Sequence, residues 1–177
     1  MSTVVVKCDA GWKDGHYKVA AVFFDSMGYQ VVASKTGECK LSNIAELIAI
    51  EFAVEEISKH ITHHTKEIYV HTDSQSSYDM FIKALPRVFG NSRENKRIAY
   101  EMVAKIKAMV PGVAIRVKYV PRREVKEADR IGNMRGGPKS THNHQKPKKR
   151  PENTKPNVKG GYAKNLLARI NSAWNID

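Results

Sequence analysis

The order of the apolar segments along the chain constrains its fold most. Three segments with the pattern of strands come first, and the loop from Asp25 to Gly28 predicts a hairpin between the second and the third. Helices and strands then alternate, which together with the hairpins predicts an α/β fold with a mixed sheet and helices on its faces. The predicted strands cover residues 3–8, 18–24, 29–34, 67–72 and 113–120, and the predicted helices cover 43–59, 76–85, 93–109 and 124–134.

Positive charge is concentrated near the end of the sequence. The chain has 177 residues and a net charge of +12. Residues 1–134 hold 20 Lys and Arg against 16 Asp and Glu, giving +4, whereas residues 135–177 hold 10 against 2, giving +8. Such a charge favours a polyanionic partner, with nucleic acid ahead of an anionic membrane.

The composition changes at the same point as the charge. Residues 135–160 are rich in Pro, Gly and Lys without an apolar period, which predicts a linker or basic arm after a globular domain of residues 1–134. Residues 161–177 predict a short amphipathic helix, with apolar side chains at Leu166, Leu167, Ile170 and Trp174. Three roles remain open for the arm: a tether that contacts the nucleic-acid backbone, an inert linker, or a docking element for a protein through residues 161–175.

Several classes of protein are disfavoured. Two cysteines, Cys8 and Cys39, do not form a disulfide framework, so we expect reduced thiols and a cytoplasmic location. The first residues lack the pattern of a signal peptide, and no apolar run approaches the roughly 20 residues of a membrane span. We expect a monomer with no membrane partner.

Acidic residues occupy unusual places in the predicted elements. Asp9 and Asp73 follow strand-like runs, Glu46 lies in the first turn of the long helix, and Asp129 lies in the last helix. Each has an ordinary explanation when taken alone: a turn residue, a helix cap or a solvated surface acid.

Glu46 is the most informative of these acids. At 100° per residue it shares a stripe with apolar residues, so its carboxylate needs a partner. One candidate is a capping box, in which Asn43 caps the helix and Glu46 reaches back to it. The other is a metal ion. The apolar residues of the stripe are Ala49, Ile50, Ala53 and Ile57.

The acids taken together indicate a metal site. Sites form at the carboxyl ends of strands in sheets with helices on their faces. Carboxylates without soft ligands suit Mg²⁺ or Mn²⁺, and metal pairs held by carboxylates catalyse phosphodiester displacement.

The sequence around these acids resembles the type 1 ribonuclease H family over residues 1–134. Four blocks carry the resemblance, in the family's order: VKCDAG, SNIAELIAI, VHTDSQSSY and YVPRREVKEADRI. The resemblance implies a ribonuclease H-like fold, with a five-stranded mixed sheet in the order 3-2-1-4-5 and strand 2 antiparallel. It also implies endonucleolytic cleavage of the RNA strand of RNA–DNA hybrids, leaving 3′-hydroxyl and 5′-phosphate ends.

The resemblance further implies roles for single residues. Asp9 would bridge two Mg²⁺ ions, with Mn²⁺ as a possible substitute; Glu46 and Asp73 would complete one metal site and Asp129 the other. The candidate substrate contacts are Asn43, Ser74, Gln75, Arg122 and Arg123.

The chain departs from the family pattern near the last acid. The loop histidine of many members is absent, Tyr119 stands at about that distance, and Val125 replaces a frequent asparagine. Two alternatives therefore stay open: a weak or inactive nucleic-acid-binding module, and another metal-dependent nuclease on the same fold.

Overall fold

A computed structural model describes residues 2–83 and 92–133 of the chain. The strands are β1 (Ser2–Lys13), β2 (His16–Phe24), β3 (Gln30–Glu38), β4 (Thr65–Thr72) and β5 (Ala114–Tyr119). The helices are α1 (Ser42–Ser58), α2 (Gln75–Lys83), α3 (Arg93–Ala108) and α4 (Lys126–Gly132), and a 3₁₀ turn, Arg122–Glu124, precedes α4.

The strands form one sheet in the order β3-β2-β1-β4-β5. The β2 strand is antiparallel to both of its neighbours, and the β1–β4 and β4–β5 pairs are parallel. This topology confirms the predicted mixed sheet and the antiparallel second strand.

The β1–β2 hairpin is longer than the sequence pattern predicted. β1 continues to Lys13 and pairs with β2 as far as His16, through a two-residue turn at Asp14 and Gly15. Both turn residues have positive φ angles, 51° and 84°, as the tight hairpin turn that suits Asp-Gly requires. The Asp-Gly pair was the sequence signal for this turn.

The main core lies between one face of the sheet and the helices α1, α2 and α3. α1 packs at its centre and buries side chains on several sides, including Leu47, Ile50 and Val54. A smaller cluster lies on the opposite face, where α4 brings Ala128 against Ala20 and Val22 of β2. Among the described residues, three helices therefore cover one face of the sheet, whereas only the short α4 covers part of the other.

Several boundaries and segments differ from the predictions or fall outside the description. The last predicted helix is divided into the 3₁₀ turn and the shorter α4. The predicted end of the 76–85 helix, the arm at 135–160 and the helix at 161–177 lie outside the described residues. In the described part of the chain, no helix is both long and apolar enough to cross a membrane.

Candidate metal centre

Parallel pairing of β1 and β4 places two of the predicted acids side by side. Lys7 of β1 pairs with His71 of β4. Asp9 and Asp73 each lie two residues further along, at the carboxyl edge of the sheet. Asp9 is only 5% exposed, so its carboxylate lies in a site largely shielded from water.

Glu46, the fifth residue of α1, completes a three-carboxylate cluster. One carboxylate oxygen from each of Asp9, Glu46 and Asp73 lies within 4.8 Å of the others. The Glu46 Oε2 atom is buried and has no hydrogen-bond partner among residues 2–83 and 92–133. Because an unsatisfied buried acceptor is costly, this oxygen is suited to accept a cation or a hydrogen-bond donor.

The capping-box explanation for Glu46 is wrong. α1 begins at Ser42, its N-cap residue is Leu41, and no side chain caps it. Asn43 instead lies inside the first turn, where its Oδ1 accepts a hydrogen bond from the Ser76 hydroxyl at 3.5 Å. Glu46 is thus left to face the other acids.

The cluster is electrostatically unfavourable without a cation. Burial, followed by the charges of Asp73 and Asp129, raises the pKa of Asp9 to about 7. Burial, followed by the charges of Asp9 and Asp73, raises the pKa of Glu46 to about 8. Both shifts are typical of acids gathered in a functional site.

Asp129 approaches the cluster from the other face of the sheet. It lies in α4, half-buried, and its charge is among those that raise the pKa of Asp9. Its Oδ1 accepts a hydrogen bond from the guanidinium of Arg122 in the 3₁₀ turn. The same guanidinium lowers the pKa values of Asp9 and Glu46, so Arg122 is a counter-ion for the whole group of acids.

These residues fit a divalent metal ion. The donors are carboxylate oxygens, the ligands preferred by Mg²⁺ and Mn²⁺. The described residues do not neutralise all of the negative charge at this site. The unpartnered Glu46 oxygen and the raised pKa values of Asp9 and Glu46 both indicate this excess. Asp129 is not one of these three grouped carboxylates, but its charge acts on Asp9.

The predicted substrate contacts occupy different environments. The backbone N–H of Ser77 donates to the Ser74 hydroxyl at 3.3 Å, so Ser74 caps the start of α2. Gln75 is exposed and donates through Nε2 to Asp79 Oδ1 at 3.0 Å. Arg122 binds Asp129, whereas Arg123 is exposed beside it.

The departures from the family pattern have structural counterparts. Tyr119 is 43% exposed at the end of β5, and its ring lies 6.5 Å from that of Tyr78 in α2. Val125 is fully buried at the start of α4. His71 is half-buried, and its pKa is lowered by burial and then by the charges of Lys118 and Lys7.

Two features of the site were not predicted from the sequence. Arg122 was expected to contact substrate, and its pairing with Asp129 depends on a turn conformation that has no clear sequence signal. Gly132, the last residue of α4, lies against Asp9: a β-carbon there would be 3.4 Å from the Asp9 carbonyl oxygen and 3.5 Å from its Oδ2. The glycine three residues after Asp129 was the sequence signal for close packing of α4 against β1.

Comparison of the sequence with protein-family models and with curated proteins gives no match. Solved structures do resemble the fold. RNase H1 from the halophilic archaeon Halobacterium salinarum NRC-1 superposes with a TM-score of 0.59 at 19% identity, covering 75% of this chain and 96% of that one.

A second similar structure is LC11-RNase H1, isolated from compost by a metagenomic approach. It gives a TM-score of 0.58 at 20% identity, covering 74% of this chain and 93% of that one. LC11-RNase H1 in complex with an RNA/DNA hybrid gives 0.55 at 18% identity, covering 72% and 92%. The described part of this chain therefore has the ribonuclease H fold, in the form found in type 1 ribonucleases H.

Proposed function

We propose that this protein is a metal-dependent endonuclease that hydrolyses the RNA strand of RNA–DNA hybrids and leaves 3′-hydroxyl and 5′-phosphate ends. The observation that carries the proposal is the cluster of Asp9, Glu46 and Asp73, with their oxygens within 4.8 Å and one buried oxygen unpartnered. The complex of LC11-RNase H1 with an RNA/DNA hybrid supports the choice of substrate, because that enzyme shares this fold.

The proposed cofactor is a pair of Mg²⁺ ions, for which Mn²⁺ could substitute. Asp9 would contact both ions, Glu46 and Asp73 would hold one, and Asp129 would hold the other. When bound, such ions supply an activated water and stabilise the charge on the leaving oxygen. The charges of both Asp73 and Asp129 act on Asp9, which supports the bridging role.

Arg122 has a proposed role in preparing the site. Its guanidinium neutralises part of the acidic charge and holds Asp129 before the substrate and cofactor arrive. If Asp129 held a metal ion, Arg122 would lose this partner and could pair with a phosphate of the substrate. Arg123, already exposed, is proposed to contact the backbone of the hybrid from the start.

The remaining substrate contacts lie beside the carboxylates. Asn43 and Gln75 lie at the first turns of α1 and α2, and we propose that they contact the hybrid directly. Ser74 is proposed to act through its position at the start of α2, which holds Gln75 in place. Discrimination between RNA and DNA would rest on the 2′-hydroxyl, the group that distinguishes the two.

A substrate panel tests this function. Purified full-length protein is incubated with end-labelled RNA–DNA hybrid, RNA duplex, DNA duplex and single strands, each with Mg²⁺, Mn²⁺ or EDTA. We expect cleavage of the RNA strand of the hybrid alone, only with a divalent ion, and products that polynucleotide ligation shows to carry 5′-phosphates. Binding of the hybrid without cleavage would favour an inactive binding module, and equal cleavage of DNA duplex would favour a different nuclease.

A further inference from the structure

The face of the sheet that carries α4 is left largely open in the described part of the chain. α4 packs over β1 and β2. The side chains of β4 and β5 on that face have no helix from residues 2–83 or 92–133 above them. We call this surface the open face and define it by Val5, Lys7, Tyr69, His71, Arg116 and Lys118.

Strand register arranges these side chains in two rows. Lys7 pairs with His71, and His71 pairs with Lys118, which forms a cationic row across β1, β4 and β5. Next to it, Val5 pairs with Tyr69 and Tyr69 pairs with Arg116. Neighbouring strands are about 4.8 Å apart, so each row is continuous.

The second row is apolar and aromatic, and it is accessible. Val5 is 42% exposed, and Phe24, at the end of β2 on the same face, is 48% exposed. Tyr69 is half-buried between them and the β5 edge. An exposed apolar row beside a cationic row is a surface that accommodates a ligand with both planar apolar groups and negative charge.

The charge of the cationic row is not neutralised within the described residues. Arg116 is paired with Glu67 at 2.8 Å, whereas Lys7 and Lys118 form no ion pair there. Glu124 of the 3₁₀ turn is the acid that acts on His71 between the two lysines. The row therefore keeps a positive balance that favours an anion.

The surface continues around the open edge of the sheet. A hollow of about 380 Å³ lies beside β5 and is lined by Tyr69, Arg116 and Lys118 from the open face. Tyr78 and Phe81 of α2 line it from the other side, with Lys107 5.8 Å from the centre of the Phe81 ring. The hollow thus combines the same two properties, aromatic rings and lysine or arginine side chains.

We propose that the open face binds a single strand of nucleic acid, with phosphates along the cationic row and bases against Tyr69 and its apolar neighbours. Cationic grooves with aromatic side chains are the common means of holding single strands without sequence preference. This surface borders the carboxylate cluster, because Lys7 and His71 lie two residues before Asp9 and Asp73, but its binding does not depend on the proposed cleavage activity.

Charge complementarity is the reason for choosing this occupant. The other candidate is the carboxy-terminal segment 161–177, which contains apolar residues suited to the same surface. It carries Lys164 and Arg169 against one acid, Asp177. That segment would bring further cations to a cationic row, whereas a nucleic-acid strand brings the opposite charge.

Binding of a fluorescein-labelled 12-nucleotide single-stranded DNA, followed by anisotropy in EDTA, tests the proposal with the full chain. Lys118→Gln should weaken binding by roughly fivefold at about 50 mM salt and should reduce the slope of log K against log salt by about 0.7, the value for one lost phosphate contact. The matched control is Lys66→Gln, because Lys66 is an exposed lysine of β4 that belongs to neither row of the open face.

A second variant tests the aromatic row. Tyr69→Leu keeps an apolar side chain suited to a strand but removes the aromatic ring, so we expect affinity to fall by roughly fivefold or more with the salt slope unchanged. Thermal melts of all variants establish that they are folded at the assay temperature.

Two results would overturn the proposal. One is equal weakening by Lys66→Gln and Lys118→Gln, which would show that only overall charge matters. The other is unchanged binding by Lys118→Gln together with tighter binding by Leu167→Asp, which would assign the open face to the carboxy-terminal segment.

Discussion

Asp9 and Glu46 show why single residues gave weaker predictions than their combination. A strand-end aspartate is most often a turn residue, and a first-turn glutamate is often part of a cap. In the structure neither role is filled: Asp9 continues within β1, and α1 has no side-chain cap. Their raised pKa values arise from burial near other acids, a property of the assembled site.

The raised pKa values predict how the stability of the metal-free protein changes with pH. A carboxyl group whose pKa is higher in the folded than in the unfolded state binds more protons when folded. Its stabilising contribution is therefore complete below about pH 4, its unfolded pKa, and is lost as the pH rises through 7 for Asp9 and 8 for Glu46.

We expect Asp9→Asn to stabilise the metal-free protein at pH 8 by about 2–4 kcal/mol relative to wild type, and by less than half as much at pH 5. Urea unfolding in EDTA at both pH values measures this difference. Asp14→Asn is the control, because Asp14 is an exposed turn residue. The electrostatic account would be contradicted if the free energies of unfolding of wild type and Asp9→Asn differed by the same amount at both pH values.

At the scale of secondary structure, the sequence predicted the order and type of the elements well. Alternating and helical apolar patterns located the five strands and the long helices, and the hairpin-then-crossover order indicated the mixed sheet. The extension of β1 was missed because residues 9–13 break the apolar alternation while the backbone continues to pair.

The segment from β5 to α4 was the least predictable part of the site. The Arg122–Asp129 pair depends on the 3₁₀ turn that brings residues seven positions apart together. Likewise, contact of Gly132 with Asp9 depends on how α4 packs on the sheet. Neither arrangement follows from local periodicity, because both are contacts between elements.

Arg122 should weaken divalent-ion binding in the free protein. The Arg122 guanidinium repels a divalent ion about twice as strongly as it repels a single proton. Removing the guanidinium therefore raises the carboxyl pKa values, which favours protons, but it favours the divalent ion more. We expect Arg122→Gln to tighten Mn²⁺ binding by about threefold to tenfold, measured by calorimetry at pH 8. Arg123→Gln is the control and should leave the affinity near that of wild type; tightening in both variants would indicate a general charge effect.

For the whole molecule, the distribution of charge matters more than its total. Eight of the twelve net positive charges belong to residues 135–177, which lie outside the described residues. The carboxylate cluster repels phosphates, so affinity for a polyanion must come from other parts of the chain. The basic arm is the proposed source of much of that affinity.

Neutralising the arm should change binding without changing the chemical step. Replacing Lys146, Lys148, Lys149 and Arg150 with Gln should reduce the salt slope of hybrid binding by about 3, since four phosphate contacts would be lost. KM should rise and kcat should remain near wild type, measured by cleavage of labelled hybrid at several salt concentrations. An unchanged salt slope would assign the arm to the inert-linker or protein-docking alternative.

The most direct test of the central claim compares Glu46→Gln with Glu55→Gln in cleavage of an RNA–DNA hybrid at saturating Mg²⁺. Both changes remove one charge from the same helix, but Glu46 faces Asp9 and Asp73 whereas Glu55 is exposed. If the carboxylate cluster holds the catalytic ions, Glu46→Gln lowers kcat by at least about 100-fold and Glu55→Gln leaves it near the wild-type value. Full cleavage activity in a folded Glu46→Gln variant would contradict the account.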